Sequence, residues 1–171
     1  MTKLKLISLS CQKTEDSSGA DEPYLRVNGQ NVWGPISLND GQSATINQLV
    51  DFTKTAEIQL FDQDVGVWWD TDDHLGSLTT NLGQLGQGEQ QGKFTGDGAN
   101  YTLVWEVLLD ARDGMLVKGS SHPIYIIQGG QRRHVPNPST FNKMGLDWNA
   151  VLIIPDSVLN TIPAGSPMPS L

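Results

Sequence analysis

Two stretches of the chain concentrate oxygen ligands. Lys13–Leu25 reads KTEDSSGADEPYL, and Phe61–Gly76 reads FDQDVGVWWDTDDHLG. Together they hold Asp16, Asp21, Glu22, Asp62, Asp64, Asp70, Asp72 and Asp73. Carboxylates brought together without a cation repel one another. A hard divalent ion removes that repulsion, and calcium takes six to eight oxygens in irregular loop geometry where magnesium demands a tight octahedron. In an extended chain, side chains two apart point the same way, so Asp62 and Asp64 share a side. Neither His nor Cys clusters with them, which argues against zinc. The twelve-residue loop of an EF-hand, ending in a bidentate Glu, is absent. The bland alternative, that these loops are acidic because they are solvated, fits a single Asp better than two spaced clusters.

The elements that must hold these loops read as short strands. Apolar-alternating runs separated by Gly, Asp, Asn and Ser are an all-β pattern. About eight fall within the first 110 residues. Leu4, Leu6, Leu9 and Cys11 mark the first, with a phase slip after Leu6 that predicts a bulge. Tyr24–Asn28, Val32–Trp33 and Ser43–Leu49 follow. Ala56, Ile58 and Leu60 then share a face, opposite Glu57 and Gln59. Leu75–Thr79, Lys93–Thr95 and Tyr101–Val107 complete the set, with Trp33 and Trp105 expected in the core. Eight such strands fit an antiparallel sandwich, whose end loops can converge from distant sequence. The expected fold class is therefore mainly β, an eight-stranded antiparallel sandwich with a small C-terminal α+β appendage.

The residues resemble a family at this point. GADEPYLRVNG followed by IQLFDQD and DDHLG is similar to the C2 domain, a calcium-dependent phospholipid-binding sandwich, over roughly residues 1–108. The family's first loop carries an Asp, a Gly-containing turn and Asp-Pro-Tyr. Its later loop carries Asp-x-Asp, a variable tip and a further Asp before Leu or Ile and Gly. The resemblance implies calcium ligation by Asp16, by Asp21 or Glu22, and by Asp62, Asp64 and Asp73, with Asp70 or Asp72 nearby. It also implies a membrane-contacting tip at Val67, Trp68 and Trp69, since Trp favours the headgroup region. Two departures stand out. Glu22 interrupts Asp-Pro-Tyr, so either Asp21 or Glu22 is the ligand. No Lys or Arg occurs from Val27 to Val50, so a lysine-rich phosphoinositide patch is missing. The tryptophans have other uses: covering the sandwich end, stacking on a sugar or touching another protein.

Charge and texture divide the chain. Residues 1–110 hold 16 acidic and 6 basic side chains, and residues 111–171 hold 3 and 5; the whole carries −8. An acidic chain is a poor nucleic-acid binder, which needs a basic face. The boundary falls near Leu109–Gly114, giving a sandwich over 1–110 and a module over 114–171. In the module, IYIIQGGQRRHV reads as a hairpin turning at Gly129-Gly130. Ser139 and Asp156 are the expected caps of two short helices. Arg132-Arg133-His134 is a basic cluster that could meet a phosphate or carboxylate, though such a cluster is more often the solvated side of a hairpin. This part resembles a short tail module of bacterial surface and secreted proteins. One cysteine, Cys11, allows no intrachain disulfide. The N-terminus reads as a strand rather than a signal peptide, and no run is long enough to span a bilayer. Placement on a membrane periphery or cell surface stays open.

The chain contains no nucleophile elbow, P-loop, HExxH or dinucleotide fingerprint, so a binding module is expected rather than an enzyme. Two readings follow: a calcium-dependent membrane-attachment module, or a calcium-stabilised structural or adhesive subunit that binds a protein or glycan.

Overall fold

The structure is a computed structural model, described over residues 1–15, 19–64 and 72–171. Its contacts divide the chain into Thr2–Leu108 and a second unit of Leu109–Leu171 with Met1.

Among the described residues the first unit has eight strands: β1 (Thr2–Lys13), β2 (Pro23–Val27), β3 (Gln30–Trp33), β4 (Ser43–Phe52), β5 (Thr55–Asp62), β6 (Asp73–Asn81), β7 (Glu89–Phe94) and β8 (Asn100–Leu109). They form two four-stranded sheets, ordered β4-β1-β8-β7 and β3-β2-β5-β6. The β1–β4 and β7–β8 pairs are antiparallel in the first, and β2–β3, β2–β5 and β5–β6 in the second. The alternation that predicts the strands also fills the space between the sheets. Leu4, Leu6, Leu9 and Cys11 are buried on β1, Ala56, Ile58 and Leu60 on β5, and Tyr101, Leu103, Trp105 and Val107 on β8. Burying one such aliphatic side chain is worth about 1.5–3 kcal/mol. The slip in β1 is present as a register shift between Leu6 and Ser8. That bulge keeps Leu9 and Cys11 on the core face. The Trp105 indole donates across the sandwich to the Thr80 hydroxyl on β6, at 3.3 Å, so its polar end is satisfied inside the core. Trp33 departs from expectation. It is half-buried on the edge strand β3, where only one neighbouring strand covers it.

The second unit has its own sheet, β9 (Leu116–Lys118), β10 (Ile124–Gln128), β11 (Gln131–Val135) and β12 (Val151–Ile153), ordered β11-β10-β9-β12. The β10–β11 hairpin turns at Gly129 and Gly130 with φ of 60° and 71°, the left-handed pair that a two-residue turn of this type needs. Two short helices, α1 (Pro138–Lys143) and α2 (Asp156–Thr161), complete it. Both caps differ from the sequence expectation. Asn137, not Ser139, caps α1 by accepting from the Thr140 amide at 2.8 Å, and Pro138 takes the first helical position, where its missing N–H costs nothing. Asp156 lies inside α2, and its carboxylate instead accepts from the Ser120 amide at 3.0 Å and from the Ser120 hydroxyl. Leu116, Val135 and Phe141 form one buried cluster, packed by Ile124, Ile126, Leu146, Val151 and Met168, and Val117, Ile127, Ile154, Val158, Leu159 and Ile162 are buried as well. The two arginines of the basic cluster are engaged within the unit. Arg132 donates to the Leu159 carbonyl and Asn160, and Arg133 to the Ser166 carbonyl and Gln128. Among the described residues no helix is long and apolar enough to cross a membrane.

Gly34 marks where the chain leaves β3 and folds back over β2. Its φ is +82°, and a Cβ there would lie 2.5 Å from the Pro23 carbonyl oxygen and 2.8 Å from the Tyr24 Cα. Backbone cannot move aside as a side-chain tip can. Gly34→Ala is therefore expected to lower stability by about 2–3 kcal/mol in urea unfolding. Gly41→Ala, with φ +77° and nothing within 4 Å, should cost only the left-handed penalty of about 1–2 kcal/mol. Equal losses at the two positions would contradict the close-approach argument.

Candidate metal centre

Each strand of an antiparallel sandwich reverses direction, so its odd-to-even connections emerge at one end. Here the β1–β2, β3–β4, β5–β6 and β7–β8 connections meet there, tied by specific hydrogen bonds. Thr14, at the end of β1, donates its amide and hydroxyl to Asp40 Oδ1 in the β3–β4 loop, at 2.7 and 3.1 Å. Asp21 and Leu38 exchange backbone hydrogen bonds at 3.1 and 2.9 Å. The Glu22 amide donates to Asp62 Oδ1 at 2.5 Å, and the Gln63 amide to the Glu22 carbonyl at 3.2 Å. Lys13 reaches across to the Gly98 carbonyl at 3.0 Å.

Three carboxylates face one another inside this framework. Ligand oxygens of Glu15, Asp21 and Asp62 all lie within 4.8 Å of one another. Asp21 is 0% exposed and Asp62 3%. Asp21 Oδ2 accepts from the Tyr101 hydroxyl at 2.6 Å and from the Glu15 amide at 2.9 Å. Burial and that carboxylate push the Tyr101 phenol well above its ordinary range, so it remains a proton donor. Burial also pushes the Asp62 carboxyl up to about 6, opposed by the Glu22 amide and reinforced by Asp21, Asp64 and Glu22. A carboxyl so placed resists ionisation without a cation and gains most when one arrives.

A second group, Glu15, Asp73 and Asp97, shares Glu15 with the first and meets the same distance limit. Asp73 opens β6 in register with Asp62 on β5. Asp97 sits in the Gly96–Gly98 turn with φ 48°. That turn reaches the β6 backbone because Gly96 has no side chain: a Cβ there would lie 2.7 Å from the Leu75 carbonyl oxygen and 2.8 Å from that of His74.

The residues singled out in the sequence are distributed as follows. Asp21, Asp62 and Asp73 enter the two groups. Glu22 sits beside them but contributes backbone hydrogen bonds to the framework, so of the ambiguous pair Asp21 is the one whose carboxylate joins Asp62. Asp64 is half-buried next to Asp62 and outside both groups. Asp72 accepts from the Tyr24 hydroxyl at 2.6 Å, and with burial this holds the phenol up at about 12. Asp16, Val67, Trp68, Trp69 and Asp70 lie outside the described residues. Sequence reasoning passed over Glu15, Asp40 and Asp97. The strand count held a signal for two of them, since the β3–β4 and β7–β8 connections share parity with the two acidic loops. Glu15 had only its place beside Asp16.

A set made solely of carboxylates, two of them from buried residues, suits a hard, oxygen-seeking divalent cation.

No family model and no curated protein matches the chain. Solved structures do. A C2 domain structure is similar at 14% identity and a TM-score of 0.45, over 64% of this chain and 100% of that one. A structure of two C2 domains of extended synaptotagmin 2 is similar at 19% and 0.43, over 84% of this chain and 44% of that one. Human GIVD cytosolic phospholipase A2 is similar at 13% and 0.43, over 73% of this chain and 18% of its own. The architecture rests on the strand order and packing above rather than on these likenesses.

The raised Asp62 pKa has a sign that can be measured in chelator. The folded chain holds this proton between the ordinary carboxyl value and about 6, where the unfolded chain has lost it. Its contribution to stability is therefore complete below the unfolded value and lost as pH rises through about 6. Wild type should lose stability from about pH 4 to 6 relative to Asp62→Asn, which has no proton to lose, and the two should run parallel above that. A constant difference across the range, read by thermal unfolding, would remove Asp62 as a strained acid.

Proposed function

We propose that this chain is a non-enzymatic calcium-binding module that attaches to a membrane surface through its acidic loops and the apolar tip Val67, Trp68 and Trp69. The observation that carries the reading is the meeting of Glu15, Asp21 and Asp62, two of them buried, at the end of the sandwich where the acidic loops converge. Asp21, Asp62 and Glu15 would hold the ion. Asp73 and Asp97 stand as a second group around Glu15, and Asp16, Asp64, Asp70 and Asp72 lie in the same loops. Bound calcium would supply positive charge that cancels the loop repulsion and attracts a phosphate oxygen. The chain's own part is to gather the ligands: Tyr101 and the Glu15 amide orient Asp21, the Glu22 amide orients Asp62, and Thr14 anchors the β3–β4 loop through Asp40. With the charge cancelled, indoles at a loop tip can enter the headgroup region, where Trp partitions well. The resemblance of these loops to those of the C2 domain points the same way.

Calorimetry tests the ion. Calcium should bind in the range of about 10⁻⁵–10⁻³ M typical of the weaker protein sites and raise the melting temperature, because the folded chain gathers ligands that the unfolded chain scatters. Asp62→Asn with Asp64→Asn should abolish the heat. Unchanged heat in that variant, or none in wild type, refutes the site.

Co-sedimentation with phosphatidylcholine–phosphatidylserine vesicles tests the surface. Binding should require calcium and weaken in Trp68→Ala with Trp69→Ala, while calcium heats stay intact. At about 25 cal/mol per Å², losing ~150 Å² of indole face sets an upper limit of roughly 4 kcal/mol. Calcium binding without any vesicle binding would favour the adhesive or structural reading, in which calcium stiffens loops that meet a protein or glycan.

A further inference from the structure

The second unit carries a pocket of about 370 Å³, within the size range of small-ligand sites. Five of its lining residues decide its chemistry: His122, His134, Asn137, Phe141 and Trp148. Trp148 is 48% exposed, yet it is fixed. Its indole stacks on the buried Phe141 with centroids 4.0 Å apart and a 27° tilt, and its N–H donates to Asn142 Oδ1 at 2.9 Å. With one face covered and the N–H engaged, the indole has its other π face to offer a ligand. Around the pocket, Asn137 spends its carbonyl oxygen on capping α1, which leaves its NH₂ group as a donor. The exposed His122 makes no hydrogen bond among the described residues. Imidazole offers both a donor and an acceptor. No carboxylate, ammonium or guanidinium lines the pocket.

We propose that this pocket binds a neutral saccharide, with a pyranose ring on the open face of Trp148 and its hydroxyls on His122, His134 and Asn137. A pyranose with equatorial hydroxyls presents axial C–H groups as a flat apolar face, the complement of an indole π cloud. Hydroxyls donate and accept, as the imidazoles do, whereas a phosphate or carboxylate ligand asks for guanidinium. The nearby Arg132 and Arg133 are already engaged by carbonyl and carboxamide oxygens. A proline-rich peptide docks on aromatic-lined grooves and carries carbonyls that call for donors such as an indole N–H, here held by Asn142. A β-1,4-linked gluco-oligosaccharide has the required flat faces. The site is independent of calcium and of the membrane reading.

The test is saturation-transfer NMR and calorimetry on the full chain in chelator, with cellotetraose and with decaproline as separate probes. Cellotetraose should receive saturation at millimolar concentration, strongest on the axial ring protons. Trp148→Ala should weaken it at least about tenfold, and His122→Ala several-fold. Because His122 is exposed and makes no hydrogen bond, its variant reports on binding even if Trp148→Ala fails to fold. No transfer to cellotetraose, binding unchanged in the folded variants, or a Trp148-dependent preference for decaproline would each overturn the proposal.

Discussion

Asp21 is a carboxylate with no exposed surface, and an ion taken out of water costs several kcal/mol unless hydrogen bonds and nearby charge offset it. The first unit is arranged around that constraint. The Tyr101 hydroxyl comes from β8 in one sheet, the Glu15 amide from the end of β1, and the Asp21 backbone is itself paired with Leu38. The Asp21 side chain thus ties its own loop to the core of a sheet, and its backbone ties that loop to the β3–β4 connection. Removing any donor would leave a buried acceptor short, the costlier of the two ways to lose a hydrogen bond.

Asp62 extends the same logic at higher tension. It sits on β5, paired with Pro23 of β2 on one side and Asp73 of β6 on the other, so its position is set by ladder hydrogen bonds rather than by a mobile side chain. The Glu22 amide stabilises its charge, and burial with three neighbouring acids opposes it. Such a balance is a poor way to stabilise a fold and a good way to receive a cation. Neighbouring groups are pushed the same way: Cys11 has its thiol pushed up by burial, and burial with the Asp72 and Asp21 carboxylates pushes up the phenols of Tyr24 and Tyr101. The two phenols are fixed hydrogen-bond donors to the Asp72 and Asp21 carboxylates.

The second unit solves a different problem, since its nine buried apolar residues, Leu116, Val117, Ile127, Val135, Phe141, Ile154, Val158, Leu159 and Ile162, make a small core. Much of its sequence closes hydrogen bonds: the two arginines of β11 satisfy carbonyl and carboxamide oxygens from α2 to the C-terminal segment, and Ser120 is bound to Asp156. Arg132 and Arg133, which in the sequence read as a phosphate or carboxylate site or as the solvated side of a hairpin, are thereby engaged within the unit. The half-exposed Trp148, by contrast, contributes a fixed aromatic face to a pocket.

The linear sequence determined the strands, because a period of two in Leu4–Leu6, Ala56–Ile58–Leu60 and Tyr101–Val107 admits only one face toward a core. It determined the hairpin at Gly129-Gly130, because both positions need positive φ. Even the β1 bulge was legible as a phase slip. The paired acidic loops were legible too, and the strand count alone brings them to one end. Tertiary structure decided what depends on neighbours distant in sequence. Trp33 and Trp105 look alike on paper, but only Trp105 lies on an inner strand and is covered on both sides. Ser139 and Asn137 are both capping residues, and the choice fell to the one preceding Pro138, which fits the first helical position. Of Asp21 and Glu22, adjacent in the chain and pointing to opposite sides, the one facing Tyr101 entered the core and the other supplied its amide. Asp97 joins the acidic centre because Gly96 lets the β7–β8 turn rest on the β6 backbone, a contact between residues about twenty positions apart whose cause is the absence of a side chain.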